Sequence, residues 1–254
     1  MRNFGTDARE PRAFIFGIRP VIEAIAAGKE LEALMVQKGI SGELVTELKN
    51  IARLHEIMIQ FVPEEKLNRV TRKVHQGVVA YISPITYTNI ENLIPQLFEE
   101  GKVPLILMLD RITDVRNFGA IARSAHCFGA HAIVLPTRGA APVSEDAVKT
   151  SAGALLKIPI CREPNLKDTL DFLKNSGLQL IACTEKATKL VSAHDWTVPT
   201  CILMGSEEDG ISGAYADFCD AEVRIPMAGN IDSLNVSVSA GIILYEVLNQ
   251  RISS

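Results

Sequence analysis

The spacing of apolar residues divides the chain into two parts. In residues 1–84, short apolar runs such as 34–36 and 78–82 predict strands, and they alternate with segments whose apolar residues recur every three or four positions. One such segment, 43–55, predicts a helix with the apolar positions Leu44, Leu48, Ile51 and Leu54. The same reasoning predicts strands at 14–16 and 57–62 and helices at 18–25 and 63–70. We therefore expect a small αβ domain over residues 1–84.

From residue 103 onward the apolar runs become continuous. Residues 103–109 predict a strand that is buried on both faces of a parallel sheet. The elements predicted after it are mainly alternating helices and strands, at 117–128, 132–135, 145–154, 158–161, 166–175, 178–183, 201–204 and 221–225. The last helix has an apolar stripe formed by Val236, Ala240, Ile243 and Val247. The pattern predicts an α/β domain over 103–254, with a mainly parallel sheet flanked by helices, and a linker with a polar helix over 85–102.

Composition narrows the class of protein. Hydrophobic residues make up 47% of the 254 residues, enough for a sizeable core. No apolar run reaches the roughly 18–20 residues that span a bilayer, and residues 1–10 lack the apolar core of a signal peptide. The five cysteines form no C-x-x-C pair, and the five histidines have no metal-ligand spacing. We therefore expect a cytoplasmic protein with reduced thiols, no metal and no membrane partner.

Positive charge is concentrated in one short segment of the first part. The net charge of −4 argues against a basic coat over the whole molecule, but affinity for phosphates depends on where the charges lie. A solvated loop explains such a segment, and so does a surface that contacts the phosphates of a nucleic acid. The charged residues are Lys66, Arg69, Arg72, Lys73 and His75.

Loops at the predicted carboxyl ends of strands carry the candidate chemistry, because ligands gather there in open α/β sheets. The loop and helix 110–125 have Asn117 where the helix is expected to begin and Arg123 less than two turns further on. The loop 203–211 has an acidic triplet with one glycine on each side of it. Ordinary explanations are also open: Arg123 as a solvent-exposed side chain, and the second loop as a surface turn.

A third loop, 225–235, leads into the last helix. Ser233 and Asn235 lie where helix-capping residues are favoured, so a capped helix is the ordinary explanation of this segment. The chain contains no G-x-G-x-x-G, G-x-x-x-x-G-K-[ST], H-E-x-x-H or G-x-S-x-G pattern. Their absence argues against a nicotinamide-dependent oxidoreductase and against the other enzymes that these motifs mark.

Together, the three loops resemble the signature motifs of the SpoU, or TrmH-type, RNA ribose 2′-O-methyltransferases of the SPOUT superfamily. The matching positions are 117–120 and 123–125 for the first motif, 204–207 and 210 for the second, and 225–227 and 233–237 for the third. The amino-terminal part resembles the small ribosomal-protein-like RNA-binding domain of the RlmB branch, through Gly17, Pro20, Val21, Glu23, Ala24 and residues 75–80. That branch methylates a guanosine of 23S ribosomal RNA.

The resemblance implies a trefoil-knotted α/β catalytic domain, a homodimer, 23S ribosomal RNA as substrate, and S-adenosylmethionine as methyl donor with S-adenosylhomocysteine as product. The catalytic residues implied by motif position are Asn117, Arg123, Glu207, Ser233 and Asn235. The implied donor-binding residues are Met204, Gly205, Ile225, Met227, Ala228 and Leu234. Two alternatives stay open: a transfer RNA substrate, and a catalytically silent RNA-binding or ribosome-assembly factor.

Overall fold

The computed structural model describes residues 13–55, 57–206, 208–230 and 233–253. The chain forms two compact units, residues 1–84 and residues 85–254, which we call the amino-terminal and carboxy-terminal units. Each unit has its own sheet and its own hydrophobic core.

The amino-terminal unit is built on a four-stranded sheet. Its elements are, in chain order, β1 (Phe14–Phe16), α1 (Ile18–Ala26), β2 (Leu31–Gln37), α2 (Glu43–Leu54), β3 (Ile59–Val62), α3 (Glu64–Asn68) and β4 (Val78–Ile82). The strand order is β1-β4-β2-β3. Strand β4 pairs antiparallel with β1 and β2, and β3 pairs parallel with β2. The αβ prediction for this part of the chain is confirmed.

The buried face of helix α2 matches the predicted one only in part: Leu48 is buried and Ile51 packs against the core as predicted, but Leu54 does not. Val45, Leu48 and Ala52 are buried, whereas Leu54 is 79% exposed. Both sets of residues recur at helical spacing. Packing against α1 favours the set that contains Ala52, because a small side chain allows two helices to approach closely.

The carboxy-terminal unit is built on a seven-stranded sheet in which every pairing is parallel. Its elements are, in chain order, α4 (Ile90–Glu99), β5 (Leu105–Leu109), α5 (Val115–Cys127), β6 (Ala132–Pro136), α6 (Glu145–Thr150), β7 (Ile160–Glu163), α7 (Leu166–Asn175), β8 (Gln179–Cys183), β9 (Lys189–Leu190), β10 (Thr200–Met204), α8 (Gly213–Ala216), β11 (Ala221–Arg224) and α9 (Val236–Ile252). Short 3-10 helices lie at Ala154–Leu156 and Val191–Ala193.

The strands of this sheet lie in the order β7-β6-β5-β10-β8-β11-β9, and this order indicates where a ligand would bind. The chain first runs from β5 outward to β7, and its later strands lie on the other side of β5. The order therefore reverses between β5 and β10, and ligands in open α/β sheets bind beside such a reversal, at the carboxyl ends of the strands. The ends of β10, β8 and β11 are adjacent there.

Residues 85–102 belong to the carboxy-terminal unit, whereas the sequence pattern predicted a linker. Helix α4 buries four apolar side chains in the core beside Met108 and Leu203. These side chains are Ile90, Leu93, Ile94 and Leu97. They recur at helical spacing, but the polar residues between them led to the prediction of a mostly polar helix.

The last helix agrees with its prediction. Val236, Ala240, Ile243 and Val247 are all buried. Within the described part of the chain, no helix is both long enough and apolar enough to cross a bilayer.

Candidate active site

A cavity of about 250 Å³ opens at the carboxyl ends of β8, β10 and β11. Five of the six residues predicted to bind the donor line it: Met204, Gly205, Ile225, Met227 and Leu234. Ala228, the sixth, is exposed and is not part of the lining. The side chains of Val236 and Ile243, from helix α9, close the apolar side of the cavity. The second and third motif loops therefore share one cavity.

Gly205 makes a close backbone contact in this cavity. A Cβ atom at position 205 would lie 2.0 Å from the carbonyl carbon of Gly210, which is too close for any side chain. Two backbone hydrogen bonds join Ser206 and Gly210 across the tight turn between them, with N–O distances of 3.2 and 3.0 Å. The loop after β10 therefore folds back on itself, and the backbone of Gly205 packs directly against the peptide of Gly210.

The loop after β8 also lines the cavity, and the sequence analysis did not include it. Thr184, Glu185 and Lys186 contribute to the lining. The available signal was their position directly after a predicted strand, but no motif marks them. Cys183, at the end of the strand, lines the cavity too, and burial raises the pKa of its thiol above the usual range. The thiol therefore stays protonated and is not a nucleophile.

The structure brings together the first and third motifs through two asparagines. The Nδ2 of Asn235 donates a hydrogen bond to the Oδ1 of Asn117 at 3.0 Å, although the residues are 118 positions apart. The Oδ1 of Asn235 accepts from the backbone N–H of Ser237 and caps helix α9. Asn235 therefore both caps the helix and contacts the first motif. Ser233 lines the cavity beside them.

Helix α5 carries Asn117 and Arg123, two of the predicted catalytic residues. It begins earlier than predicted, because Asp114 is its cap and accepts hydrogen bonds from the backbone N–H groups of Arg116 and Asn117. Arg123 lies further along α5 and is exposed. Within residues 13–55, 57–206, 208–230 and 233–253, no hydrogen bond or ion pair holds its guanidinium. Glu207, the fifth predicted catalytic residue, lies outside the described residues.

An ion-pair network ties the loop after β5 to the loop after β10. Arg111 donates from Nε and Nη2 to the two carboxylate oxygens of Asp110, each at 3.1 Å. It also donates to Asp209 at 2.9 Å and to the carbonyl oxygen of Gly210 at 3.0 Å. Asp110 accepts in addition from the backbone N–H of Ser212 at 2.9 Å. The hydrogen bonds to Asp110 raise the pKa of Arg111 above its usual value. Sequence analysis missed this network.

In the amino-terminal unit, four of the five basic residues predicted to contact RNA are exposed: Lys66, Arg69, Arg72 and Lys73. His75 is different, because its ring is 6% exposed. Its Nδ1 accepts from the N–H of Gly77 at 3.0 Å, so Nε2 carries the proton that is donated to the Oδ1 of Asn68, also at 3.0 Å. His75 fixes the turn beneath the basic segment and does not face solvent.

No cluster of three or more histidine, cysteine or acidic side chains that could hold a metal ion is present among the residues described.

Two models of known protein families match this chain. The model of the SpoU rRNA Methylase family matches residues 104–245. A second model, for RNA 2′-O ribose methyltransferase substrate binding, matches residues 14–88. The chain belongs to the SpoU methyltransferase family. The SpoU match contains all three motif loops and the substrate-binding match contains the amino-terminal sheet.

Individual SpoU relatives agree. An "Uncharacterized tRNA/rRNA methyltransferase" of Mycobacterium sp. (strain KMS) is 38% identical over 239 residues, 93% of this chain and 76% of the relative. The SpoU methyltransferase AviRb from Streptomyces viridochromogenes, in complex with the cofactor AdoMet, has 28% identity and a TM-score of 0.61, and the match covers 99% of this chain and 95% of that chain. The TrmH/SpoU tRNA modifying enzyme of A. aeolicus has 29% identity and a TM-score of 0.55, and the match covers 64% of this chain and 84% of that chain.

Membership of the SpoU family confirms the predicted fold class and enzyme class. It is a family of RNA 2′-O-methyltransferases that use S-adenosylmethionine as the methyl donor.

Proposed function

We propose that this SpoU methyltransferase transfers a methyl group to the ribose 2′-hydroxyl of a guanosine in 23S ribosomal RNA. The observation that carries the proposal is the hydrogen bond between Asn117 and Asn235, beside the cavity that Ser233 lines. This bond fixes the first motif against the third at the edge of the sheet where the cavity opens. The residues that we assign to the substrate and to the donor would therefore be neighbours, as methyl transfer requires.

The cavity suits S-adenosylmethionine, whose adenine ring has apolar faces and whose sulfonium and amino-acid part are charged. Met204, Ile225 and Ile243 supply an apolar wall, and the glycine backbone at Gly205 leaves the space that a side chain would fill. We assign donor binding to these residues together with Met227 and Leu234. When bound, the donor supplies an electrophilic methyl group on a sulfonium. Ala228 is exposed outside this lining, and we assign it no contact with the donor.

The chain's own task is to hold and activate the hydroxyl. A ribose hydroxyl is a poor nucleophile and must lose its proton as it attacks. Arg123 cannot be the base, because a guanidinium stays protonated. We assign to Arg123 the binding of the substrate phosphate and the stabilisation of negative charge on the 2′-oxygen, with the proton passing to phosphate or water. Asn117, Ser233 and Asn235 orient the nucleotide, and we assign to Glu207 the orientation of Arg123 or Asn117.

Holding the hydroxyl and the methyl group in attack geometry supplies about 7–11 kcal/mol of the barrier in well-oriented reactions. An unpaired nucleotide in a loop is the expected target, because its ribose and base edges are accessible to side chains.

The choice of ribosomal over transfer RNA is supported by the amino-terminal unit. The transfer RNA enzyme compared above matches only 64% of this chain, whereas the match to an rRNA methyltransferase from Sinorhizobium meliloti covers 94% of it. The exposed basic residues Lys66, Arg69, Arg72 and Lys73 would contact the RNA backbone, and His75 would hold their loop in shape. Transfer RNA remains the second candidate.

A homodimer is part of the proposal. On helix α9, Val238, Ile242 and Tyr245 recur at helical spacing and are 49%, 37% and 57% exposed. The opposite face of the same helix is in the core, so α9 is apolar on both sides, and an exposed apolar stripe of this kind marks an interface. A second copy of the chain would cover it. The free thiols of the chain agree with a cytoplasmic location, which we also propose.

The test is transfer of a labelled methyl group from S-adenosylmethionine to 23S ribosomal RNA and to transfer RNA, followed by digestion to nucleosides. We expect label at a guanosine 2′-oxygen of 23S RNA, lost in Arg123→Ala and kept in the control Arg53→Ala, which removes an exposed arginine of helix α2. Label in transfer RNA alone would replace the proposed substrate. Donor binding without transfer to either RNA would indicate that the substrate is a partially assembled ribosomal particle, and no donor binding at all would support the catalytically silent RNA-binding factor.

A further inference from the structure

Arg111 has an unusual backbone conformation for its residue type. Its φ is 57°, in the left-handed region that favours glycine, so a side chain at this position carries a conformational cost. A glycine would relieve that cost and would lose the guanidinium. The guanidinium, in turn, contacts acceptors on both active-site loops, at Asp110, Asp209 and Gly210. These contacts offset the cost of the conformation.

The acceptors on the second loop belong to the wall of the cavity. Asp209 and Gly210 both line it, and the Gly210 carbonyl that Arg111 binds is part of the peptide against which Gly205 packs. A shift of Gly210 away from Gly205 would therefore change the shape of the cavity where the backbone is closest. The position of this wall depends on what holds Gly210.

We propose that Arg111 is a positioning residue that holds the loop after β10 closed over the methyl donor and so sets the affinity for S-adenosylmethionine. The inference rests on the proposed placement of the donor in this cavity. Arg111 does not line the donor cavity itself. It acts through Gly210 and Asp209, and it anchors them to Asp110 at the end of β5.

The two carboxylates play unequal parts. The side chain of Asp110 is 3% exposed and binds the guanidinium through both oxygens, which makes it a fixed anchor. The side chain of Asp209 is 69% exposed, so its ion pair with Arg111 is screened by water and salt. The bond to the Gly210 carbonyl should therefore carry most of the effect, and Asp209 should add a smaller, salt-dependent part.

The chain offers a matched control for the ion pair. Lys174 contacts Asp220 at 2.7 Å and the carbonyl oxygen of Phe218 at 3.3 Å, so it also joins one carboxylate and one backbone carbonyl. It does not line the donor cavity. Lys174→Ala removes a contact of the same type outside the donor cavity.

The experiment measures the dissociation constant of S-adenosylmethionine by calorimetry for the full-length wild type and the variants Arg111→Ala, Arg111→Lys, Asp209→Asn and Lys174→Ala. We expect about a tenfold weaker donor affinity in Arg111→Ala, because hydrogen bonds to charged groups are lost. Asp209→Asn should weaken affinity by about two- to threefold at low salt and less at high salt. Arg111→Lys should rescue only in part, since an ammonium cannot reproduce the planar fork. Lys174→Ala should match the wild type.

Steady-state kinetics separates positioning from a structural role. In Arg111→Ala the KM for the donor should rise, while the KM for RNA and kcat at saturating donor stay near the wild-type values. If Arg111→Ala and Lys174→Ala have the same donor affinity, the inference is wrong. If Arg111→Ala does not fold, Asp209→Asn decides, and an unchanged, salt-independent affinity would overturn it. A wild type that binds no donor would refute this inference together with the proposed donor site.

Discussion

Asn235 combines two structural contacts with the role in orienting the nucleotide that we propose for it. It caps helix α9 and also donates to Asn117. Asn165 caps helix α7 in the same way, by accepting from the backbone N–H of Lys167, and its side chain is not in the site. Asn235→Ala and Asn165→Ala should each cost about 1 kcal/mol of stability. Only Asn235→Ala should lower methyl transfer, by roughly 100-fold, because the substrate groups lose alignment.

Thermal unfolding and the labelled-methyl assay check this pair. An equal loss of activity in both variants would mean that the cap alone accounts for the role of Asn235.

His131 makes the stability of the fold depend on pH. Its Nδ1 accepts a hydrogen bond from the backbone N–H of Leu105 at 3.0 Å, which requires a neutral nitrogen. Burial, and then the charges of Arg251 and Lys102, lower the pKa of His131 below its ordinary value of 6.5. The folded state therefore binds the proton less readily than the unfolded state. The contribution of His131 to the free energy of unfolding is therefore fully present above about pH 6.5. It decreases as the pH drops below that value, by at most roughly 1.4 kcal/mol per pH unit for each proton.

We expect the melting temperature to decrease as the pH is lowered from 7.5 to 5.5. The variant His131→Asn should show a smaller decrease. Burial and Lys189 also lower the pKa of His194, so a residual slope of the same sign should persist. A slope that is unchanged in His131→Asn would contradict the assignment.

At the scale of elements, helices α5 and α6 meet at a glycine. A Cβ on Gly119 would lie 2.7 Å from the Cβ of Thr150 and 3.0 Å from the carbonyl oxygen of Ala147. Because the second atom is backbone, the helices must separate, and Gly119→Ala should destabilise the protein by about 1–3 kcal/mol. Gly213→Ala, on the first residue of α8 where a Cβ meets open space, is the control and should be neutral or slightly stabilising. Chemical denaturation measures both.

The sequence predicted elements best where the pattern and the burial coincide. The fully buried strand β5 and the stripe of helix α9 are of this kind, because most of their apolar residues are in the core. For helices α2 and α4 the sequence predicted the element but not all of its buried face: two sets of residues in α2 have similar periodicity, and polar neighbours concealed the apolar stripe of α4. In both cases tertiary packing, which periodicity does not contain, makes the choice.

Only those residues of the candidate site that belong to one of the three motifs could be predicted from the sequence. Asn117, Ser233 and Asn235 were found because the three motifs mark them. The loop residues 184–186 and the Arg111 network carry no motif, and they join the site through strand order and side-chain contacts between distant segments. His75 lies among basic residues in sequence, but its ring is turned inward by two hydrogen bonds that no charge pattern reveals.

For the whole molecule, the proposed dimer gives a prediction about assembly. Val238→Lys places a charge in the exposed stripe of α9 and should convert the dimer to a monomer, because an unpaired charge would be buried in the interface. Leu156→Lys is the control, since Leu156 is 59% exposed and lies outside the stripe. Light scattering after size-exclusion chromatography measures both masses. A wild type that elutes as a monomer, or a dimer that Val238→Lys leaves intact, would contradict the proposed interface.

The strand order also has a consequence during protein synthesis. Strand β10 lies beside β5 in the centre of the sheet, and Thr200 pairs with Leu105. Until the ribosome has completed β10, the apolar strand β5 has one edge without its partner, and such an edge is a template for pairing with other chains. At about 5–20 residues per second, that edge stays open for roughly 5–20 s. We therefore expect the strand order that forms the candidate site to leave the nascent chain prone to aggregation until its second half emerges.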